Sequence, residues 1–104
     1  MDALVIAVDQ QGIVVMANAS AEKLLNNKKG SLLEKPLIKT AVGEKVMQAN
    51  GGIIELDHQS FTGEYFLFKE SFLSDGQQHQ LFLLTNAERM LMKKERQAWQ
   101  SLLR

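Results

Sequence analysis

The sequence predicts an α+β domain: a five-stranded antiparallel sheet with short helices on one face, followed by a C-terminal exit helix. Three observations predict it. Two short β-branched runs, Ala3 to Val8 and Ile13 to Ala17, flank a polar Asp9-Gln10-Gln11-Gly12 turn, and three strand-like runs fill the second half. Between the two groups lie only short helical stretches, broken at Gly43. From Asn86 to Arg104 there is no Gly, no Pro and no turn cluster, and nearly every residue favours helix.

The elements follow in order. After the first hairpin, Asn18 is a suitable N-cap for a short helix over Ala19 to Leu25, since its side-chain oxygen can accept from a free N–H of the first turn. Asn26 to Gly30 is a polar loop. Pro36 can open a helical turn through Leu37, Ile38, Ala41 and Val42, which Gly43 interrupts. Glu44 to Ala49 makes a second short helix, closed by Asn50-Gly51-Gly52. Ile53 to His58 is the third strand, Glu64 to Leu73 the fourth after a Thr62-Gly63 turn, and Leu81 to Thr85 the fifth, reached through Ser74-Asp75-Gly76. Thr85 and Glu88 form a T-x-x-E pattern that caps the exit helix. No Gly or Asn closes that helix at Leu102-Leu103-Arg104, so the chain is expected to be a fragment whose helix continues into another module. The division is a sensor domain over residues 1–85 and a signalling helix over 86–104.

The runs ALVIAV, IVVMA and LFLLT do not alternate apolar with polar, so both sheet faces there should be covered. The few short helices of the middle shield one face. The other calls for an upstream helix or a second copy of the domain, and a homodimer contact through that face is the expectation.

Composition bounds the function. A chain of 104 residues suits one domain burying roughly 65% of its unfolded surface. Twelve basic residues balance twelve acidic ones, which leaves no electrostatic footprint for nucleic acid or an anionic membrane. The absence of Cys removes disulfides, thiolate metal sites and thiol nucleophiles, and fits a reducing cytoplasm. No apolar run approaches the ~20 residues that span a bilayer, although a longer parent can be membrane-anchored upstream.

No enzyme site emerges, and no catalytic residue is assigned. His58 and His79 have no second ligand at metal spacing, so no metal site is expected. No Ser lies in a nucleophile elbow, and Gly51-Gly52 belongs to no phosphate loop. Glu55 and Asp57 share one strand face by period-two spacing, which reads as solvated surface. Phe66 and Phe68 share one face of the long strand and Tyr65 and Leu67 the other. An aromatic stripe of this kind is core, or lines a small-molecule pocket between sheet and helices. Asn18, Phe66, Phe68 and Phe82 are the pocket candidates. Leu91, Ala98 and Leu102 lie at spacings of seven and four, near one helical face. With Thr85 and Glu88 they are the candidates for passing a signal along the exit helix, and two such helices can pack in parallel.

The stretch from Asp9-Gln10-Gln11-Gly12 through Asn18-Ala19-Ser20-Ala21 resembles the opening of PAS sensor domains. There an Asp-x-x-Gly turn joins the first two strands, and an Asn followed by small residues starts the first helix. Leu33-Glu34-Lys35-Pro36-Leu37 is similar to a downstream hydrophobic-Gly-Lys-Pro-hydrophobic segment of that family, with Glu34 in the Gly position. The order of elements also resembles the PAS fold over the whole chain. Glu95 to Arg104 resembles the segment that precedes the phosphoacceptor helix in bacterial sensor histidine kinases of the nitrogen-regulation, NtrY-like type. Many PAS domains end the last strand with Asp-Ile-Thr, where this chain has Leu83-Leu84-Thr85.

The resemblance implies a non-catalytic, cytoplasmic, signal-sensing and dimerising input for a histidine kinase in a two-component phosphorelay. Its partners would be a second copy, the kinase module downstream and a possible small-molecule ligand, with no nucleic acid or membrane contact and no tightly bound cofactor. The alternatives are a ligand-free interaction scaffold and a haem- or flavin-dependent sensor. The absent Cys and the lack of His in the helical middle disfavour the last.

Overall fold

The computed structural model describes residues 3–25, 31–40, 42–58 and 61–87. The first apolar runs form β1 (Leu4–Val8) and β2 (Val14–Ala17), and the second half forms β3 (Gly52–His58), β4 (Phe61–Ser74) and β5 (Gln77–Asn86). They make one five-stranded sheet in the order β2-β1-β5-β4-β3, with every neighbouring pair antiparallel. The fold is therefore α+β, and β5 completes it by inserting between the first strand and the fourth. Between β2 and β3 run α1 (Ala19–Leu25), a 3-10 turn over Leu37–Lys39, and α2 (Gly43–Gln48).

Turn chemistry explains the hairpins. The Asp9 carboxylate accepts from the N–H groups of Gln11 (2.9 Å) and Ile13 (3.0 Å), and Gly12 takes the left-handed φ of 79° that closes the turn. Asp75 and Gly76 both have positive φ, 51° and 73°, the conformation whose twist matches two flanking strands, and Ser74 pairs with Gln77 across them. The third hairpin departs from expectation. Thr62 and Gly63 are not a turn but rungs of β4 opposite Asp57 and Leu56, and the pairing already begins at Phe61 opposite His58. Gly63 sits at φ 115° inside the strand, so the signal read as a turn is a distortion within the ladder.

The helices lie on one face of the sheet. Leu4, Ile6 and Val8 of β1, Val14 of β2, Ile54 and Leu56 of β3, Tyr65 and Leu67 of β4, and Phe82 and Leu84 of β5 alternate inward and pack against Ala21, Leu25, Leu37 and Val46. Gly43 begins α2 rather than breaking it. The chain approaches itself so closely there that any Cβ would overlap the Leu37 carbonyl and lie 2.6 Å from Thr40 Oγ1.

One edge of the sheet is guarded. Val14 donates to the Lys35 carbonyl (2.9 Å), Glu34 donates to Val14 (2.8 Å), and Ile13 bridges Pro36, so the segment before the 3-10 turn covers β2 with a proline. Glu34 reaches this geometry at φ 68°, a conformation that suits Gly. Glu34→Gly should therefore stabilise the domain by about 0.5–1 kcal/mol, read as a raised urea midpoint at unchanged slope.

Candidate functional site

Among the described residues none packs over the face opposite the helices, the open face of the sheet. Successive residues of a strand point to opposite faces, so the residues flanking each core position point away from it. They are Val5 and Ala7 of β1, Met16 of β2, Ile53 of β3, Phe66 and Phe68 of β4, and Leu81 and Leu83 of β5. The register puts them side by side: Ala7 with Met16 and Leu81, Val5 with Leu83, Leu83 with Phe68, Phe66 with Ile53. Met16, Phe68 and Ile53 are 40%, 49% and 54% exposed, values usual for charged rather than apolar side chains. The Phe66 and Phe68 rings stack at 6.3 Å between centroids. A shallow groove of about 410 Å³ on this face is lined by Phe68, Glu70, Leu81 and Leu83 with the adjoining Leu67 and Lys69. A contiguous apolar patch of this kind marks a contact surface.

The four pocket candidates do not converge. Phe82 faces the helices and is fully buried, whereas Phe66 and Phe68 lie on the open face, half-buried and exposed respectively. Asn18 is committed to structure. Its Oδ1 accepts from Ala21 N–H (3.0 Å), which caps α1, and from Val5 N–H (3.2 Å), while Nδ2 donates to the Ala3 carbonyl (2.7 Å). This one side chain joins the start of α1 to the start of β1.

Of the signalling candidates, Thr85 lies within β5 opposite Phe66, and β5 runs on to Asn86 with helical backbone first at Ala87. The strand-to-helix junction thus falls one residue later than the T-x-x-E pattern places it. Glu88, Leu91, Ala98 and Leu102 lie outside the described residues. Glu55 and Asp57 are exposed on the open face. His79 is held locally, its Nδ1 3.0 Å from the Gln77 carbonyl and its ring 5.3 Å from that of Phe72. Among the described residues no three His, Cys, Asp or Glu groups converge to hold a metal ion, and no helix is long and apolar enough to cross a membrane.

Sequence reasoning missed Lys69. It stands on the helix-facing side of β4, and its ammonium donates to the carbonyls of Met47 (3.1 Å) and Ala49 (2.6 Å) with the Phe82 ring 5.3 Å away. A cation there satisfies the carbonyls at the end of α2 and complements its dipole. The C-cap of α2 is therefore supplied from the sheet, and Gly51 and Gly52 serve only to turn the chain at positive φ. The place of Lys69 two residues after Leu67, on the inward series Tyr65-Leu67-Lys69, is the one sequence signal that points to it.

No protein-family model matches the chain, and no curated protein or solved structure is significantly similar to it.

Proposed function

We propose that the chain is a non-catalytic, signal-sensing and dimerising PAS-type input module that relays a conformational change to a histidine kinase in a two-component phosphorelay. The observation that carries this reading is the open apolar sheet face, whose central strand β5 leads directly into the segment 88–104. A ligand, partner or neighbouring domain that alters packing on either face of the sheet would shift that exit segment and bias the kinase. The Asp9–Gly12 turn between β1 and β2, the Asn18 start of α1 and the left-handed Glu34 support the PAS resemblance at the three places where the sequence carries it. The module acts in the cytoplasm in this reading, ahead of the kinase part of the same protein.

A second reading, a ligand-free interaction scaffold, gains from one observation: Asn18, Phe66, Phe68 and Phe82 do not surround a common cavity. Native mass spectrometry of the purified protein separates the two, since a retained small molecule supports sensing by ligand and a bare mass supports the scaffold. Both readings require self-association. Sedimentation at protein concentrations on the order of tens of micromolar should show a dimer, and a clean monomer there would remove the dimerising role.

A further inference from the structure

The two edges of the sheet differ. Glu34, Lys35 and Pro36 cover β2. At the other end of the order stands β3, and among the described residues no backbone hydrogen bond reaches it from outside β4. In an antiparallel pair every second residue of the outer strand turns its N–H and C=O away from its neighbour. Gly52–His58 therefore presents a row of outward donors and acceptors, about 23 Å long at ~3.3 Å per residue. The strand carries no proline or lysine to blunt it.

The flanks of that edge have different characters. On the helix side Ile54 and Leu56 are buried, and a strand laid beside them would extend the core. On the open side Glu55 and Asp57 are exposed, and Glu64 of β4, also exposed, stands in rung with Glu55. Like charges in one rung weaken a sheet unless something neutralises them. Among the described residues of the five strands Lys69 is the sole Lys or Arg, and its ammonium is held on the helix side by the Met47 and Ala49 carbonyls. The edge thus offers backbone hydrogen bonds, an apolar rim and carboxylates that no base offsets.

We infer that β3 takes up an extended segment of another protein as an added strand, one in which Lys or Arg alternates with apolar residues. Backbone bonds supply the attachment and the alternation supplies the choice of partner. The basic residues lie beside Glu55 and Asp57, and the apolar ones continue the rows of Ile54 and Leu56. A second copy of this chain is the poorer occupant, because its own β3 brings the same carboxylates and no base. This interaction goes beyond the input-module reading and does not depend on it, since it needs only the edge strand.

Three short fluorescent peptides test it on the full chain: alternating Lys and Val, alternating Glu and Val, and the Lys–Val sequence with its backbone nitrogens methylated. Anisotropy should show saturable binding of the Lys–Val peptide, weakened by salt, and binding of the other two weaker by about tenfold or more. Amide hydrogen exchange should slow in β3 when the Lys–Val peptide binds. Combining Glu55→Lys with Asp57→Lys, both at exposed positions, should invert the preference to the Glu–Val peptide. Combining Glu55→Gln with Asp57→Asn, which keeps the shape of both side chains, should weaken Lys–Val binding about tenfold without creating affinity for Glu–Val. No saturable binding of the Lys–Val peptide, or equal binding of Lys–Val and Glu–Val, overturns the inference. So does a charge-reversed chain that still prefers Lys–Val. Binding that survives methylation, or that slows exchange at Phe68 and Leu83 in place of β3, seats the peptide on the open face and overturns it as well.

Discussion

Phe82→Ala should destabilise the domain by about 3–5 kcal/mol, whereas Phe68→Ala should cost about 1 kcal/mol or less. Both are phenylalanines on adjacent central strands, Phe82 in rung with Lys69 and Phe68 in rung with Leu83. They differ in the face they occupy. Phe82 is 0% exposed and packed under the helices, so its deletion leaves a cavity that the surrounding core closes only in part. It also removes the ring beside the Lys69 ammonium and loosens the clamp on α2. Phe68 is 49% exposed, and truncating it loses mainly the stacking with Phe66. Thermal or urea unfolding followed by circular dichroism checks the pair. Equal losses would place Phe68 in the core and remove the open face.

Asn18→Ala should lower stability by about 2–4 kcal/mol, more than a helix cap alone contributes. The substitution strips the cap from Ala21 N–H and leaves Val5 N–H and the Ala3 carbonyl without their side-chain partner. Asn18→Asp keeps an acceptor for both N–H groups and favours the positive end of α1, but it loses the donor to Ala3. Its cost should fall between wild type and Asn18→Ala. Urea unfolding of the three proteins tests the order, and equal stability of Asn18→Ala and wild type would show that the staple carries no load.

The sequence made the strands and their order of appearance legible because apolar runs and turn residues are local signals. Asp9 to Gly12 and Asp75-Gly76 announce their hairpins by chemistry alone. The errors came where a local signal has a non-local cause. Gly63 reads as a turn residue but sits in a strand, and Gly43 reads as a helix breaker but permits contact with the Leu37 carbonyl. Lys69 was invisible as a cap because its partners Met47 and Ala49 lie on another element. For the site, the two-sided apolar runs correctly implied a face that the helices do not cover. Which aromatics lie on it required the register. Period two separates Phe66 and Phe68 from Tyr65 and Leu67, but only the pairing of β4 with β5 shows that Phe82 belongs with Tyr65 and Leu67. The same register sets Glu55 opposite Glu64 on the open face.

In the proposed relay the domain acts by moving the segment after β5, and a segment that passes on rotation or a register shift as a helix must keep its phase. An insertion series between Leu91 and Ala98, made in the histidine kinase whose input this chain is proposed to be, measures that directly. Autophosphorylation should vary with insert length and recover near seven residues, where about two helical turns restore the facing of Ala98 and Leu102. Activity indifferent to insert length would make the segment a tether and contradict the relay.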